Sequence, residues 1–285
     1  MGWEEMKINE WKDFTGLLER NKFHQKAPYL LSFRGQAKAE WDLTSSISRC
    51  IKGSDITTKQ AYALEKMVIT DFLKCYHLFP SNNTLDVSFG EMAQCITGKR
   101  RKGSIFILQK CWAIMQHYNC PTRLLDWTES EYAALYFAVD KESECDGAVW
   151  ASPLMQYSEL SDENHGDPAD ICEEDLCSEA MDHIGLVIEE KFTERSFYQQ
   201  AHFTYSKNIM AKHNEVLENL QKDRKNLVKM IIPAGKKDEF LARLKKMNIT
   251  ASTLFPGLDG LGRAASESIK ILLWKLAEDE KLTEQ

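Results

Sequence analysis

The sequence predicts an α+β fold, a mixed sheet with flanking helices, in a single domain over residues 1–285 with its core at about 28–265. Three observations carry this reading. Tyr29, Leu31 and Phe33 alternate with Leu30, Ser32 and Arg34, the period of a strand. Leu227 to Ile232 is a second strand-like run and stops at Pro233. Between and around them lie helical patterns: Ala61, Leu64, Val68, Phe72 and Cys75 recur at helical intervals, as do Ile105, Leu108, Trp112 and Met115.

In chain order, Trp3 to Arg20 reads as a helical entry with Trp11, Phe14, Leu17 and Leu18 on its apolar face. Gly35 ends the first strand. Gln36 to Arg49 is a loop leading into a short helix, and Thr57 to Tyr76 a long amphipathic helix. Pro80 to Gly103 is turn-rich and carries the basic cluster Lys99 to Lys102. Gln116 to Thr128 is a polar connection between two apolar segments. Pro121 breaks the preceding helix, and Thr128 with Glu131 has capping-box spacing for the next, Tyr132 to Val139. Ala148 to Trp150 starts a strand after the Asp146-Gly147 turn. Glu159 to Asp182 holds ten acidic residues and no Lys or Arg, an inserted, solvated segment suited to a protein partner. His165 and His183 read as surface histidines. Asp238 to Met247 is a helix, Thr253 to Pro256 a further short strand, and Ser266 to Ala277 a C-terminal helix.

Net charge is −7, which disfavours generic binding to anionic membranes or nucleic acid; the uneven spread of charge leaves nucleic acid open as a partner. The eight cysteines are scattered without a C-x-x-C pair and read as reduced thiols. Cys172 and Cys177 have no histidine at zinc-site spacing, so no metal is expected. No apolar run reaches the roughly 20 residues of a membrane span, and the expected location is cytoplasmic.

Two features point to chemistry. Arg34 ends an apolar strand on the face opposite Phe33, where it needs a partner, either a salt bridge or a ligand anion clamped bidentately. The connection at 116–128 presents His117, Tyr118, Thr122, Arg123 and Asp126 from a loop anchored in core at both ends. Arg123 and Asp126 either pair to hold the turn or face a ligand.

The residues resemble a known family. Phe33-Arg34-Gly35-Gln36 with Trp41 and Leu43 is similar to the motif that names the FRG domain. Gln116-His117-Tyr118, then Pro121 to Thr128 and Ala134 to Ala138, resemble its most specific block. Gln200, Phe203 and Thr204, and then Ile232-Pro233 and Phe255 to Gly260, resemble its later blocks. The chain departs from the pattern at Asn119-Cys120 and at Ala201-His202, where glycines are usual. The resemblance implies a bacterial or phage-associated protein in a defence or toxin context.

Tyr29 to Gly35 also resembles the first strand of ADP-ribosyltransferases of the arginine-serine-glutamate type. That likeness implies an ADP-ribosyltransferase-like sheet, NAD as cofactor and Arg34 on its anionic part. The carboxylate role falls to Glu194 or Asp126, neither at a diagnostic spacing. The expected site unites His117, Asp126 and Glu194 as catalytic groups with Arg34, Gln36, Tyr118, Thr122, Arg123 and Gln200 as ligand-binding groups. Two alternatives stand beside the transferase: a non-enzymatic module sensing a nucleotide or a protein partner, and a phosphoesterase or nuclease using His117 oriented by Asp126.

Overall fold

A computed structural model describes residues 3–19, 31–76, 90, 103–172, 174–187, 194–220 and 227–283. The basic cluster Lys99 to Lys102 and the first residues of the predicted strand at 29–30 lie outside these. The protein is a mixed α+β fold, built among the described residues on a seven-stranded sheet: β1 (Glu4–Lys7), β2 (Ser32–Gln36), β3 (Leu125–Thr128), β4 (Gly147–Ser152), β5 (Gly185–Val187), β6 (Ala201–Tyr205) and β7 (Val228–Ile232). Their spatial order is β1-β7-β4-β2-β3-β6-β5. β1 and β7 run parallel, and the other neighbours pair antiparallel.

Register sorts the side chains. Arg34 pairs with Trp150 and Phe33 with Ala151, so by alternation Arg34 and Trp150 share one face and Phe33 the other. On the Phe33 face, α1 (Trp11–Glu19), α5 (Glu131–Val139) and α9 (Lys237–Lys246) build a core with Phe14, Ala134, Val149 and Phe240. On the Arg34 face, Trp127 and Trp150 pack with Leu154 and Tyr157 of α6 (Leu154–His165) and with Val216 and Leu217 of α8 (His213–Leu220). A third core joins α3 (Thr58–Tyr76) and α4 (Ser104–His117) to Phe203 and Tyr205 of β6. Short helices α2 (Ser46–Ile51), α7 (Glu194–Gln199) and α10 (Ala251–Leu254), and the long C-terminal α11 (Leu258–Thr283), complete the set described. None of the described helices is long and apolar enough to cross a membrane.

Several expectations change. The entry segment is a strand followed by a helix. β1 lies at the sheet edge and is held by backbone pairing to β7, so Glu4, Glu5 and Lys7 face water and leave no apolar period to read. Gly35 lies inside β2, paired with Val149, because α5 crosses the strand there: a Cβ would stand 1.8 Å from the carbonyl oxygen of Ala134. The end of the polar connection is itself β3, in the middle of the sheet. Ser130, not Thr128, caps α5 and accepts from the Ala133 amide. Thr128 donates instead to the Gln199 carbonyl oxygen at 2.6 Å.

The acidic segment forms α6 and two single turns, with Ile171 and Leu176 buried. His183 is buried against the Tyr205 ring, a correction to its reading as a surface residue. Thr253 to Pro256 is not a strand. Thr250 and Thr253 form a reciprocal capping box that starts α10. The Gly257 to Gly262 stretch turns directly into α11, eight residues before the predicted start.

Burial also sets the response to acid. His202 is bonded to Ser32 Oγ at 2.7 Å and His213 to Thr204 Oγ1 at 2.9 Å. Burial lowers their pKa to about 4 and to about 3, with Arg34 and then Arg123 adding to the effect at His213. The unfolded chain therefore takes up protons first as pH falls below 6.5, and stability is lost from there toward pH 4. Asp140, which burial lifts from 3.8 to about 6, and Asp238, which burial also raises, act in the opposite direction, but the shifts of the two buried imidazoles are larger than that of Asp140, and His117, lowered by burial, adds to them. The urea midpoint should fall steadily between pH 7 and 4.5; a flat profile would show that the two imidazoles are not held neutral.

Candidate functional site

The sheet opens between β2 and β3. These strands share one paired position, Phe33 with Thr128, whereas β2 follows β4 along its whole length from Ser32 to Gln36. Past Phe33 the strands part, and a cleft of about 1110 Å³ occupies the gap. Arg34, Gln36 and Trp127 line it from one face of the sheet, and Gly35, Phe137 and Gln199 from the other.

Arg34 spans the opening. Its Nη1 donates to the Asp126 carbonyl oxygen at 2.6 Å and reaches the Asp126 carboxylate at 3.4 Å. The side chain is 16% exposed. Its Nε is buried and has no hydrogen-bond partner among the described residues. Burial pulls the guanidinium below its ordinary pKa; Asp126 opposes this and Arg49 adds to it. A buried donor without an acceptor is costly, and here it belongs to a cation at the floor of a cleft.

Asp126 is held from behind. Both carboxylate oxygens accept from Gln116 Nε2, at 3.2 and 3.1 Å. Gln116 Oε1 accepts from Thr122 Oγ1 at 2.5 Å. The Thr122 amide donates to Ser46 Oγ at 2.9 Å, and that hydroxyl donates to the Thr122 carbonyl oxygen at 3.1 Å. A chain of bonds thus runs from α2 through the end of α4 to the cleft. The Asp126 side chain remains 53% exposed.

Of the nine residues expected to converge, Arg34, Gln36, His117, Asp126 and Glu194 line the cleft. Gln36 is committed to scaffolding: Trp150 Nε1 donates to its Oε1 at 2.8 Å, and its Nε2 donates to the Asp42 carbonyl oxygen at 3.2 Å. His117 packs edge-on to Tyr118 at 4.9 Å. Burial and then Arg195 lower its pKa. Among the described residues the side-chain bonds of Asp126 go to Gln116 and Arg34, so Asp126 does not orient His117.

The other four residues do not line the cleft. Thr122 is buried in the bonds just described. Tyr118 and Gln200 are exposed on its outside. Arg123 is 1% exposed and pairs with Glu65 of α3, not with Asp126. Helix α3 brings this unforeseen carboxylate beneath the loop, where it takes Nε and Nη2 while Nη1 donates to the carbonyl oxygens of Ser206 and Lys207.

Sequence reasoning missed a second set of cleft residues. Arg195 on α7, Phe255 after α10, and Arg263 on α11 line the same cleft. Phe255 falls in the later motif block, but Arg195 and Arg263 lie outside every motif, and only folding unites the three. Among the described residues no cluster of His, Cys, Asp or Glu is arranged to hold a metal ion.

This geometry defines a mixed-sheet protein with a cleft at a sheet opening, lined by arginines and carboxylates together. Residues 30–147 match the FRG domain family. The matched segment contains Arg34, His117 and Asp126 and ends before Glu194, Arg195 and Arg263. No curated protein and no solved structure matches the chain.

Proposed function

We propose that the cleft binds NAD or a related nucleotide and that the protein is an enzyme of ADP-ribosyltransferase type. The observation that carries this is the buried Nε of Arg34, an unmatched cationic donor at the point where the sheet opens. Guanidinium binds phosphate through two parallel bonds, and the cleft volume suits a dinucleotide-sized ligand. Trp41, 45% exposed at the rim, offers a surface for a base to stack on.

NAD, when bound, supplies an ADP-ribosyl group whose bond to nicotinamide breaks as positive charge grows on the ribose. A carboxylate in the cleft lowers the energy of that charge. Glu194 suits this better than Asp126. Asp126 is engaged with Arg34 and Gln116, whereas Glu194 lines the cleft and forms no ion pair among the described residues. Arg34 then binds and orients the anionic part of the ligand, and Asp126 keeps Arg34 aimed. The FRG likeness adds a context of bacterial defence or toxicity for the transfer. The acidic segment at 159–182 is the surface proposed for a protein partner.

A second reading is a non-enzymatic nucleotide sensor. It is favoured by the engagement of Asp126, a cleft carboxylate within the FRG-matched segment that is already bonded to Arg34 and Gln116. Incubation with labelled NAD and cell extract separates the two. The enzyme releases nicotinamide and transfers label, and Arg34→Ala abolishes both while lowering NAD affinity by at least about thirtyfold. Arg34-dependent binding without turnover would select the sensor. Binding and turnover unaffected by Arg34→Ala would overturn both readings.

A further inference from the structure

Phe255 is fixed from two sides. Gln199 Nε2 donates to the Leu254 carbonyl oxygen at 2.9 Å, tying α7 to the end of α10. Gly257, at φ +112°, turns the chain into α11, and Gly260 lets that helix close onto Phe255: a Cβ at 260 would lie 1.8 Å from the Phe255 carbonyl oxygen. The Phe255 ring meets Phe137 edge-on at 5.9 Å.

Two guanidiniums gather on this fixed ring. The Arg195 guanidinium carbon lies 4.9 Å from the ring centroid and that of Arg263 4.5 Å. Attraction to the ring face holds each cation in place, but like charges brought together repel. Neither arginine forms a hydrogen bond or ion pair among the described residues. Burial lowers the pKa of Arg195; Asp126 opposes this and Arg263 adds to it. Asp126 thus feels both Arg34 and Arg195, which places the two arginines along one cleft. Two cations on one locked aromatic ring, each with planar donors that no described residue accepts, have the chemistry to clamp an anion in the cleft they both line.

We propose that Arg195 and Arg263, positioned by Phe255, form a second phosphoryl subsite in the cleft, so that the preferred ligand is a nucleotide with at least two phosphoryl groups. The inference rests on the nucleotide-binding reading for the nucleoside part, but on no transfer chemistry. Arg34 takes one anionic group and the Arg195–Arg263 pair takes another. A nucleoside monophosphate fills only part of the site.

Calorimetric titration of the full chain with AMP, ADP and inorganic pyrophosphate tests this. ADP should bind at least about tenfold tighter than AMP. In the Arg195→Gln, Arg263→Gln double variant that preference should vanish, with AMP affinity unchanged and the pyrophosphate signal lost. Phe255→Leu should weaken ADP binding in the same direction with both arginines intact, and Arg195→Lys with Arg263→Lys should restore only part of it. Thermal melts establish that each variant is folded. Equal affinity for AMP and ADP in the wild type, or a preference untouched by the double variant, overturns the subsite. If pyrophosphate binds through Arg195 and Arg263 but no nucleotide binds or turns over, the subsite stands and the NAD reading fails. If nucleotides bind through Arg34 while the double variant behaves as wild type, the reverse holds.

Discussion

Arg123→Met should destabilise the protein by about 3–5 kcal/mol, the cost of leaving a buried charge without its partner. The guanidinium is enclosed. Its Nε donates to Glu65 Oε1 at 2.8 Å, Nη2 to Oε2 at 2.5 Å, and Nη1 to the carbonyl oxygens of Ser206 and Lys207 at 3.1 and 3.3 Å. The rings of Trp112 and Tyr62 lie 5.1 and 5.7 Å from its carbon. Removing it strands Glu65, itself buried, together with the two carbonyls. Arg123→Lys should recover little, because an ammonium cannot reproduce the planar fork. Glu65→Leu combined with Arg123→Met should recover much of the loss, since an apolar pair of similar volume removes the stranded charge. Urea unfolding of the four proteins measures this. If Arg123→Met costs under 1 kcal/mol, the pair does not staple α3 to the 123–125 segment and the 206–207 turn.

Arg123 also shows where sequence reading stops. Its loop is legible: Pro121, the helix before it and the apolar segment after it are all local signals, and the structure keeps them in order. Its partner is not, because Glu65 lies 58 residues earlier on a helix whose pattern looks amphipathic and ordinary. A single acidic residue on the apolar face of α3 is the one trace, and it gains meaning only beside a buried cation. Arg34 was more legible. A charge at the end of an apolar strand must be answered by something, and the answer, Asp126, came from the stretch already singled out. The role of Asp126 in aiming Arg34 was not legible, because it depends on β2 and β3 separating after one paired position. Strand registers of that kind are set by long-range packing. The Arg195–Phe255–Arg263 group is least legible of all: the block from Phe255 to Gly260 is visible as a motif, but nothing local brings Arg195 or Arg263 to the Phe255 ring, and that depends on the turn at Gly257, the close approach at Gly260 and the Gln199 bond.

Gly35→Ala should be among the most damaging single-atom additions available, although the sequence marks Gly35 only as the end of a strand. The residue has ordinary strand pairing with Val149, so conformational freedom is not the issue. The obstacle is space. An added Cβ would lie 1.8 Å from the Ala134 carbonyl oxygen, 2.8 Å from the Ala138 amide nitrogen and 2.8 Å from Phe137 Cβ. Two of these are helix backbone, which cannot rotate away as a side chain can, so α5 as a whole must lift from β2. Overpacking a tight core costs about 1–3 kcal/mol, and a collision with backbone belongs at the top of that range or above. Because α5 carries Phe137 and leads into Asp140, both of which line the cleft, a folded Gly35→Ala protein should also lose ligand affinity with Arg34 intact. Gly235→Ala is the control: nothing lies within 4 Å of its added Cβ, and the change should be close to neutral. Urea midpoints for the two variants should therefore diverge sharply, and equal midpoints would mean that α5 does not rest on β2 at Gly35.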